Sequence, residues 1–282
     1  MKKKLIIIGI IVLIITILVL IYARFIGTSG LKINEYKIVN SNIIDEYHGF
    51  KVVHITDIHY GSTINNKRLK KLVDKINSLK PDIVVLTGDL TDEMTDYNKD
   101  ELINNLVGIN ARLGKYAVSG NHDYPIDNFN EIVEKSGFIN LNNTYELIYD
   151  NTNQPIVISG VSSNISDTTS LNTKTESFDN FISNINQEDN IYSILLMHEP
   201  DYIKQLNLEN YDLVLSGHSH NGQINIPLIR KLYMPQDAKE YINGHYKIKN
   251  TDLFVSNGVG TSWLKFRLFS KPSIDLYRLT NK

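Results

Sequence analysis

Five short bursts of metal-ligating residue types punctuate this chain: Asp57-Ile58-His59, Gly88-Asp89, Gly120-Asn121-His122-Asp123, Met197-His198 and Gly217-His218-Ser219-His220. Carboxylate, amide carbonyl and imidazole together suit hard-to-borderline divalent ions such as Mn, Fe or Zn. Thiolate ligands are excluded, because the sequence has no cysteine. Of its 8 histidines, five (His59, His122, His198, His218 and His220) fall inside the bursts, so chance explains the clustering poorly. One Asp-x-His or Gly-Asp pair alone would be weak, since both occur freely in turns and helix caps. Together the bursts offer the groups that a dinuclear metal site needs. His54 stands outside them on an apolar strand and reads as a satisfied core histidine.

Each burst follows a short apolar, β-branched run: Val52 to Thr56, Ile83 to Thr87, Tyr116 to Ser119, Ile194 to Met197 and Leu213 to Ser216. The groups therefore project from the carboxyl ends of strands, where open α/β sheets form their ligand crevice. Between the first runs, Lys67 to Leu79 carries a helical stripe (Leu69, Leu72, Val73, Ile76, Leu79) that Pro81 stops, and a second helix is expected around Asp100 to Leu113. That βαβαβ rhythm implies right-handed crossovers on a largely parallel sheet covered on both faces. Leu31 to Asn40, Ile156 to Val161 and Ile191 to Met197 read as strands, Phe178 to Ile185 as a weak helix, and Ser162 to Thr175 as a polar surface loop. Gln223 to Ile226, Leu253 to Ser256 and Ser273 to Leu279 are expected to form strands of a second sheet. Two packed sheets with outer helices account for the pattern. His245 is expected at the surface and Trp263 in the core or at its rim. Arg267 is expected to be an ordinary surface residue, with bidentate contact to a phosphate as the alternative.

The start of the chain is Met-Lys-Lys-Lys, followed by an uncharged apolar run from Leu5 to about Tyr22, long enough to cross a bilayer as a helix. The run is longer than the core of a cleaved secretory signal, and its exit, Tyr22-Ala23-Arg24-Phe25, lacks a small-residue cleavage site, so a retained anchor is expected. Three lysines before the span against Arg24 after it place the rest of the chain outside the cytoplasm. The expected organisation is an anchor (1–24), a connecting segment with a first strand (25–49) and one globular domain (50–282). With a formal net charge of −2 there is no broad basic field for nucleic acid.

The order of the bursts resembles that of the calcineurin-like metallophosphoesterases: D-x-H, G-D, G-N-H-[DE], an isolated H, then G-H-x-H. Further stretches, His198-Glu199-Pro200-Asp201, Leu215-Ser216-Gly217-His218-Ser219-His220-Asn221-Gly222-Gln223 and Gly258-Val259-Gly260-Thr261-Ser262, look like the membrane-associated bacterial phosphodiesterases of that family. Some of those cleave the pyrophosphate of UDP-diacylglucosamine. The resemblance implies a two-sheet αββα sandwich and two divalent ions. Asp57, His59, Asp89 and His220 would hold one; Asp89, Asn121, His198 and His218 would hold the other, with Asp89 as the bridge. It also implies hydrolysis by a metal-activated hydroxide. His122 would be the general acid or transition-state stabiliser, with loop positioning as the plainer role. Asp123 would orient an imidazole or merely cap the loop. Ser219 where Thr is common and Asn221 where Gly is frequent depart from the pattern without touching a ligand position. The expected substrate is a phosphoester, lipid-linked or from the cell wall, met at the membrane. The alternatives are a phosphomonoesterase, including a phosphoprotein phosphatase, and a non-catalytic module stabilised by metal. The Ser162 to Thr175 and Leu228 to Lys239 segments are expected to shape that choice.

Overall fold

The computed structural model describes residues 2–92, 95–185, 191–226 and 234–282. An apolar helix, α1 (Lys2–Ile21), comes first and buries none of its side chains in the protein, continuing as a π-helical turn (Tyr22–Ile26). Then follow β1 (Lys32–Val39), β2 (Lys51–Ile55), α2 (Asn66–Ser78), β3 (Ile83–Thr87), α3 (Lys99–Val107), β4 (Gly114–Val118), α4 (Ile126–Lys135), β5 (Ile139–Asn140), β6 (Thr144–Ile148) and β7 (Ile156–Gly160). The chain continues through α5 (Leu171–Ile185), β8 (Ser193–Leu196), β9 (Leu213–Ser216), β10 (Gly244–Ile248), β11 (Thr251–Val255) and β12 (Ser273–Thr280).

The strands form two mixed sheets of six, in the orders β1-β12-β2-β3-β4-β5 and β10-β11-β9-β8-β7-β6. Strands β2 to β5 are parallel, as are β7, β8, β9 and β11. Because side chains alternate along a strand, Val52, Ile83, Val85 and Val118 face Ile158, Ile194, Leu196 and Leu215 between the sheets. The opposite faces, which water would otherwise meet, take helices. Leu69, Leu72, Val73 and Ile76 of α2 pack with α3 and α4 on the first sheet, and Leu171, Phe178 and Ile182 of α5 pack on the second. The result is the expected αββα layering. Asn65 and Asn98 accept backbone N–H bonds at the starts of α2 and α3, both at 3.1 Å.

Several elements differ from the sequence reading. The strand near the C-terminus, β12, lies in the first sheet, parallel to β1 and antiparallel to β2. Its apolar pattern marks it as a strand but carries no information about its neighbours. Among the described residues, Gln223 to Ile226 contributes one isolated bridge, Ile224 to Leu268. Helix α3 stops at Val107, where Gly108 caps it by donating to the Asn105 carbonyl. Helix α5 takes in much of the expected surface loop, because Leu171 and Thr175 continue its buried stripe and the Lys174 ammonium is satisfied by carbonyls of Ser162, Ser163 and Asp167. Of Leu228 to Lys239, residues 228–233 lie outside the described residues.

Candidate metal centre

All five bursts emerge at the carboxyl ends of strands: Asp57 after β2, Asp89 after β3, Asn121 after β4, His198 after β8, His218 and His220 after β9. The first three strands are neighbours in one sheet and the last two in the other, so the site straddles the rim where the sheets stack. The turns that carry it are tight. Asp57, His59, Asp89, His218 and His220 all have positive φ (45 to 67°), a region that side chains other than glycine's rarely adopt. Gly120 allows the β4 turn to close on the β3 turn, since a Cβ there would lie 2.2 Å from Asp89 Oδ1.

Two groups of side chains converge on Asp89. Asp57, His59, Asp89 and His220 each offer a ligand atom within 4.8 Å of the others, and so do Asp89, His198 and His218. Asp89 belongs to both, and its hydrogen bonding explains how: Oδ1 accepts the His122 N–H at 2.9 Å, which leaves Oδ2 between His59 Nε2 at 3.4 Å and His198 Nε2 at 3.2 Å. His220 Nε2 is 3.2 Å from His59 Nε2 and 3.3 Å from Asp57 Oδ1. Asp57 is itself held by the His218 N–H at 3.1 Å and the Thr56 hydroxyl at 2.8 Å.

The surrounding hydrogen bonds select tautomers. His198 Nδ1 lies 2.7 Å from the Thr87 carbonyl, which can only accept, so Nδ1 carries a proton and the buried Nε2, without a hydrogen-bond partner among the described residues, is the nitrogen turned toward Asp89 and the centre. His218 Nε2 likewise donates to the Gln236 carbonyl at 2.7 Å, freeing Nδ1. The buried Asn121 Oδ1 also has no hydrogen-bond partner among the described residues. Inward-facing acceptors that protein groups leave unsatisfied fit divalent cations.

The charge balance agrees. Burial opposes a charge on His59, yet Asp89 and Asp92 push it up to about 9. Burial likewise opposes a charge on His198, but Asp89 raises it well above its ordinary value. Asp89 falls well below the carboxylate range despite its burial, chiefly through His198. In contrast, burial and the neighbouring positive His198 lower His218, and burial with His59 and Arg267 lowers His220. Buried carboxylates thus draw positive charge into the centre, and protons on imidazole are the form it takes without a metal.

His122 sits at the edge, its ring centroid 5.1 Å from that of His59 and its Nε2 3.5 Å from the Ser262 hydroxyl. The carboxylate nearest its ring is Asp92, Oδ1 to Nδ1 3.9 Å; Asp92 Oδ2 is also 3.6 Å from His59 Nδ1. Asp123 turns away: its oxygens accept the Thr91 and Gly120 N–H groups at 3.0 and 2.9 Å, clasping the β3 and β4 turns together. Burial and the charge of Asp89 raise it to about 7. A cavity of about 210 Å³ opens over the centre, with Ile165, Pro235, Gln236 and Ser262 among its walls.

The sequence does not single out Asp92, three residues past Asp89, and it marks Ser262 only as the last residue of the Gly258 to Ser262 stretch, without a role. Sequence reasoning misplaced Arg267, which is fully buried, neither at the surface nor open to phosphate. Its Nη2 hydrogens go to the Gly260 and Asn257 carbonyls at 2.6 and 2.8 Å, and the same nitrogen packs 3.1 Å from His220 Nδ1. Burial lowers this guanidinium to about 10. Trp263 is 75% exposed, not core. His245 is half-exposed and bonded to Asp252 at 2.7 Å, while His54 is buried between Thr87 Oγ1 at 2.7 Å and the Tyr277 hydroxyl at 3.3 Å, a core histidine as expected.

The family model for calcineurin-like phosphoesterases matches residues 50–222. An uncharacterized metallophosphoesterase of Bacillus subtilis, YkuE, is 30% identical over 92% of this chain and 88% of its own length. The UDP-2,3-diacylglucosamine pyrophosphatase LpxG of Chlamydia muridarum is 27% identical, covering 82% of this chain and 84% of its own. A transmembrane protein with a metallophosphoesterase domain from Danio rerio is 27% identical over 93% of this chain and 60% of its own. With more than half its length matched by the family model and a site of Asp and His clusters where the strands end, the chain belongs to the calcineurin-like phosphoesterases, hydrolases of phosphoester bonds.

Proposed function

We propose that the protein is a membrane-anchored phosphodiesterase or pyrophosphatase, held by α1 with residues 50–282 as its catalytic domain outside the cytoplasm. The observation that carries the reading is Asp89 Oδ2, shared by two ligand groups and poised between His59 from one sheet and His198 from the other. Asp57, His59, Asp89 and His220 would hold one divalent ion and Asp89, Asn121, His198 and His218 the other. Bound there, the ions would supply Lewis acidity toward a phosphoryl oxygen and a water acidic enough to ionise near neutral pH.

The chain's own groups do the rest. Asp89 offsets charge at both positions, and Asn121 adds an oxygen without adding charge. His122, partly exposed at the cavity wall, can donate a proton to the leaving-group oxygen or a hydrogen bond to a phosphoryl oxygen. Asp92 is the orienting carboxylate in this reading, and Asp123 clasps the turns. The lipid-linked substrate class draws support from the similarity to LpxG and from the high local concentration of lipid head groups that a tether imposes. The test is hydrolysis of a bis-aryl phosphodiester and the matched monoester with Mn, Zn or Fe, using Asp89→Asn as control. Diester cleavage that disappears in the control supports the reading; a monoester preference, or tightly bound metal without turnover, overturns it.

A further inference from the structure

The exit of α1 is fastened to the loop that walls the metal centre. The Arg267 N–H donates to the Ala23 carbonyl at 2.9 Å, and Gly27 packs so closely on that loop that a Cβ would lie 1.8 Å from the Arg267 carbonyl oxygen. If α1 spans a bilayer, Ala23 lies at its surface. Trp263, four residues from that bond, is then held within about 14 Å of chain from the interface, and Phe269 closer still. Both rings are unburied by the protein, 75% and 65% exposed, and Phe25 and Ile26, in the turn that carries Ala23, are exposed as well. Lys265 and Lys271 are exposed on the same segment.

A cavity of about 320 Å³ is walled by residues 28–30, by apolar side chains that include Ile64 and Val259, and by three cationic side chains of α2: Arg68, Lys71 and Lys75. Arg68 fixes it to the tether, donating to the carbonyls of Thr28 and Thr63, both at 3.0 Å. Helix α2 carries five basic residues (Lys67, Arg68, Lys70, Lys71, Lys75) against the single acid Asp74, in a chain whose net charge is −2. Aromatic side chains left in water and a cationic pocket, both joined to the end of an apolar helix, match the two chemistries of a bilayer surface: the acyl boundary and anionic head groups.

We infer that the 262–271 loop and α2 dock the catalytic domain flat on an anionic bilayer. Trp263 and Phe269 enter the interface, and the Arg68–Lys71–Lys75 cavity receives a lipid head-group phosphate. This rests on the anchored reading above and deepens it. Ser262 walls the catalytic cavity and adjoins Trp263, so docking through Trp263 would bring this wall of the site to the membrane plane, toward phosphoesters carried on lipids resident in that bilayer.

Trp263 is the single tryptophan of the chain, so its fluorescence reports the docking directly. The full-length protein is reconstituted into vesicles of phosphatidylcholine alone or mixed with phosphatidylglycerol. Blue-shifted emission, quenched by lipids brominated near the head group and shielded from aqueous acrylamide, is the expected result. Emission of a water-exposed indole, quenched by acrylamide and indifferent to bromolipid, overturns the proposal. In the anionic vesicles, Lys71→Glu with Lys75→Glu is expected to cut bromolipid quenching by about half; quenching equal to that of the unaltered protein would overturn the head-group pocket. Hydrolysis of a soluble bis-aryl diester by the same unaltered preparation reports separately on the metal centre, so a failed diesterase reading and a failed docking surface are distinguishable.

Discussion

Asp89 shows how much chemistry one side chain can concentrate when its backbone is forced. Its positive φ and the His122 N–H on Oδ1 leave Oδ2 a single direction, into the gap between His59 and His198. Substituting Gly120→Ala should push a methyl group against this carboxylate, and metal titration should report at least about tenfold weaker binding, comparable to the loss of an outer-shell partner. His122 holds Asp89 through its backbone N–H, which any residue supplies, while its ring stands at the cavity wall, so His122→Ala should lower diester turnover about 10²- to 10⁴-fold while metal content by mass spectrometry stays level. Loss of metal in that variant would refute its proposed role. The seven candidate ligands and His122 were legible because their types and order are chemically restrictive. Asp92 was not: one more acid in a turn has no distinctive spacing, and only folding sets it 3.6 Å from His59 and 3.9 Å from His122.

Between elements, two buried polar residues act as pins. Arg267 satisfies the Asn257, Gly260 and Ser270 carbonyls within one loop. Arg267→Met would leave these acceptors unpaired beside His220 and should lower stability by about 3 kcal/mol, seen as a drop in the thermal midpoint; Lys should not restore it, lacking the planar fork. His54 joins β2 to Thr87 at the end of β3 and to Tyr277 on β12, and burial holds it neutral, its pKa lowered to about 3 from 6.5. Its contribution to the pH dependence has a definite sign. The unfolded chain takes up a proton below pH 6.5 and the folded one does not until about 3, so stability is complete above that window and falls as the pH drops through it. The slope approaches about 1.4 kcal/mol per pH unit, and His54→Gln should flatten it in melts recorded across that range. The helices and parallel strands were readable from 3.6- and 2-residue periodicities. The place of β12 was not, because pairing with β1 and β2 depends on which edges the rest of the fold leaves open.

At the scale of the whole molecule, the candidate ligands join the two sheets: Asp57, His59, Asp89 and Asn121 from one, His198, His218 and His220 from the other. Metal binding should therefore report on the packing of the sandwich. Removing metal with a chelator should lower the thermal midpoint by the equivalent of about 3 kcal/mol at an ion concentration a hundred times Kd, and adding Mn should restore it. An unchanged midpoint would argue against ions bridging the sheets. The sequence by itself determined the inventory and order of the ligands, the strands that end in them, the apolar length of α1 and the absence of thiolate chemistry, since all of these are properties of residue type and local spacing. Only the tertiary structure decided that Arg267 is buried against His220, that the protein leaves Trp263 unburied, and that α1 ends against the wall of the metal centre. Those facts join residues far apart along the chain, and no local periodicity encodes which distant surfaces meet.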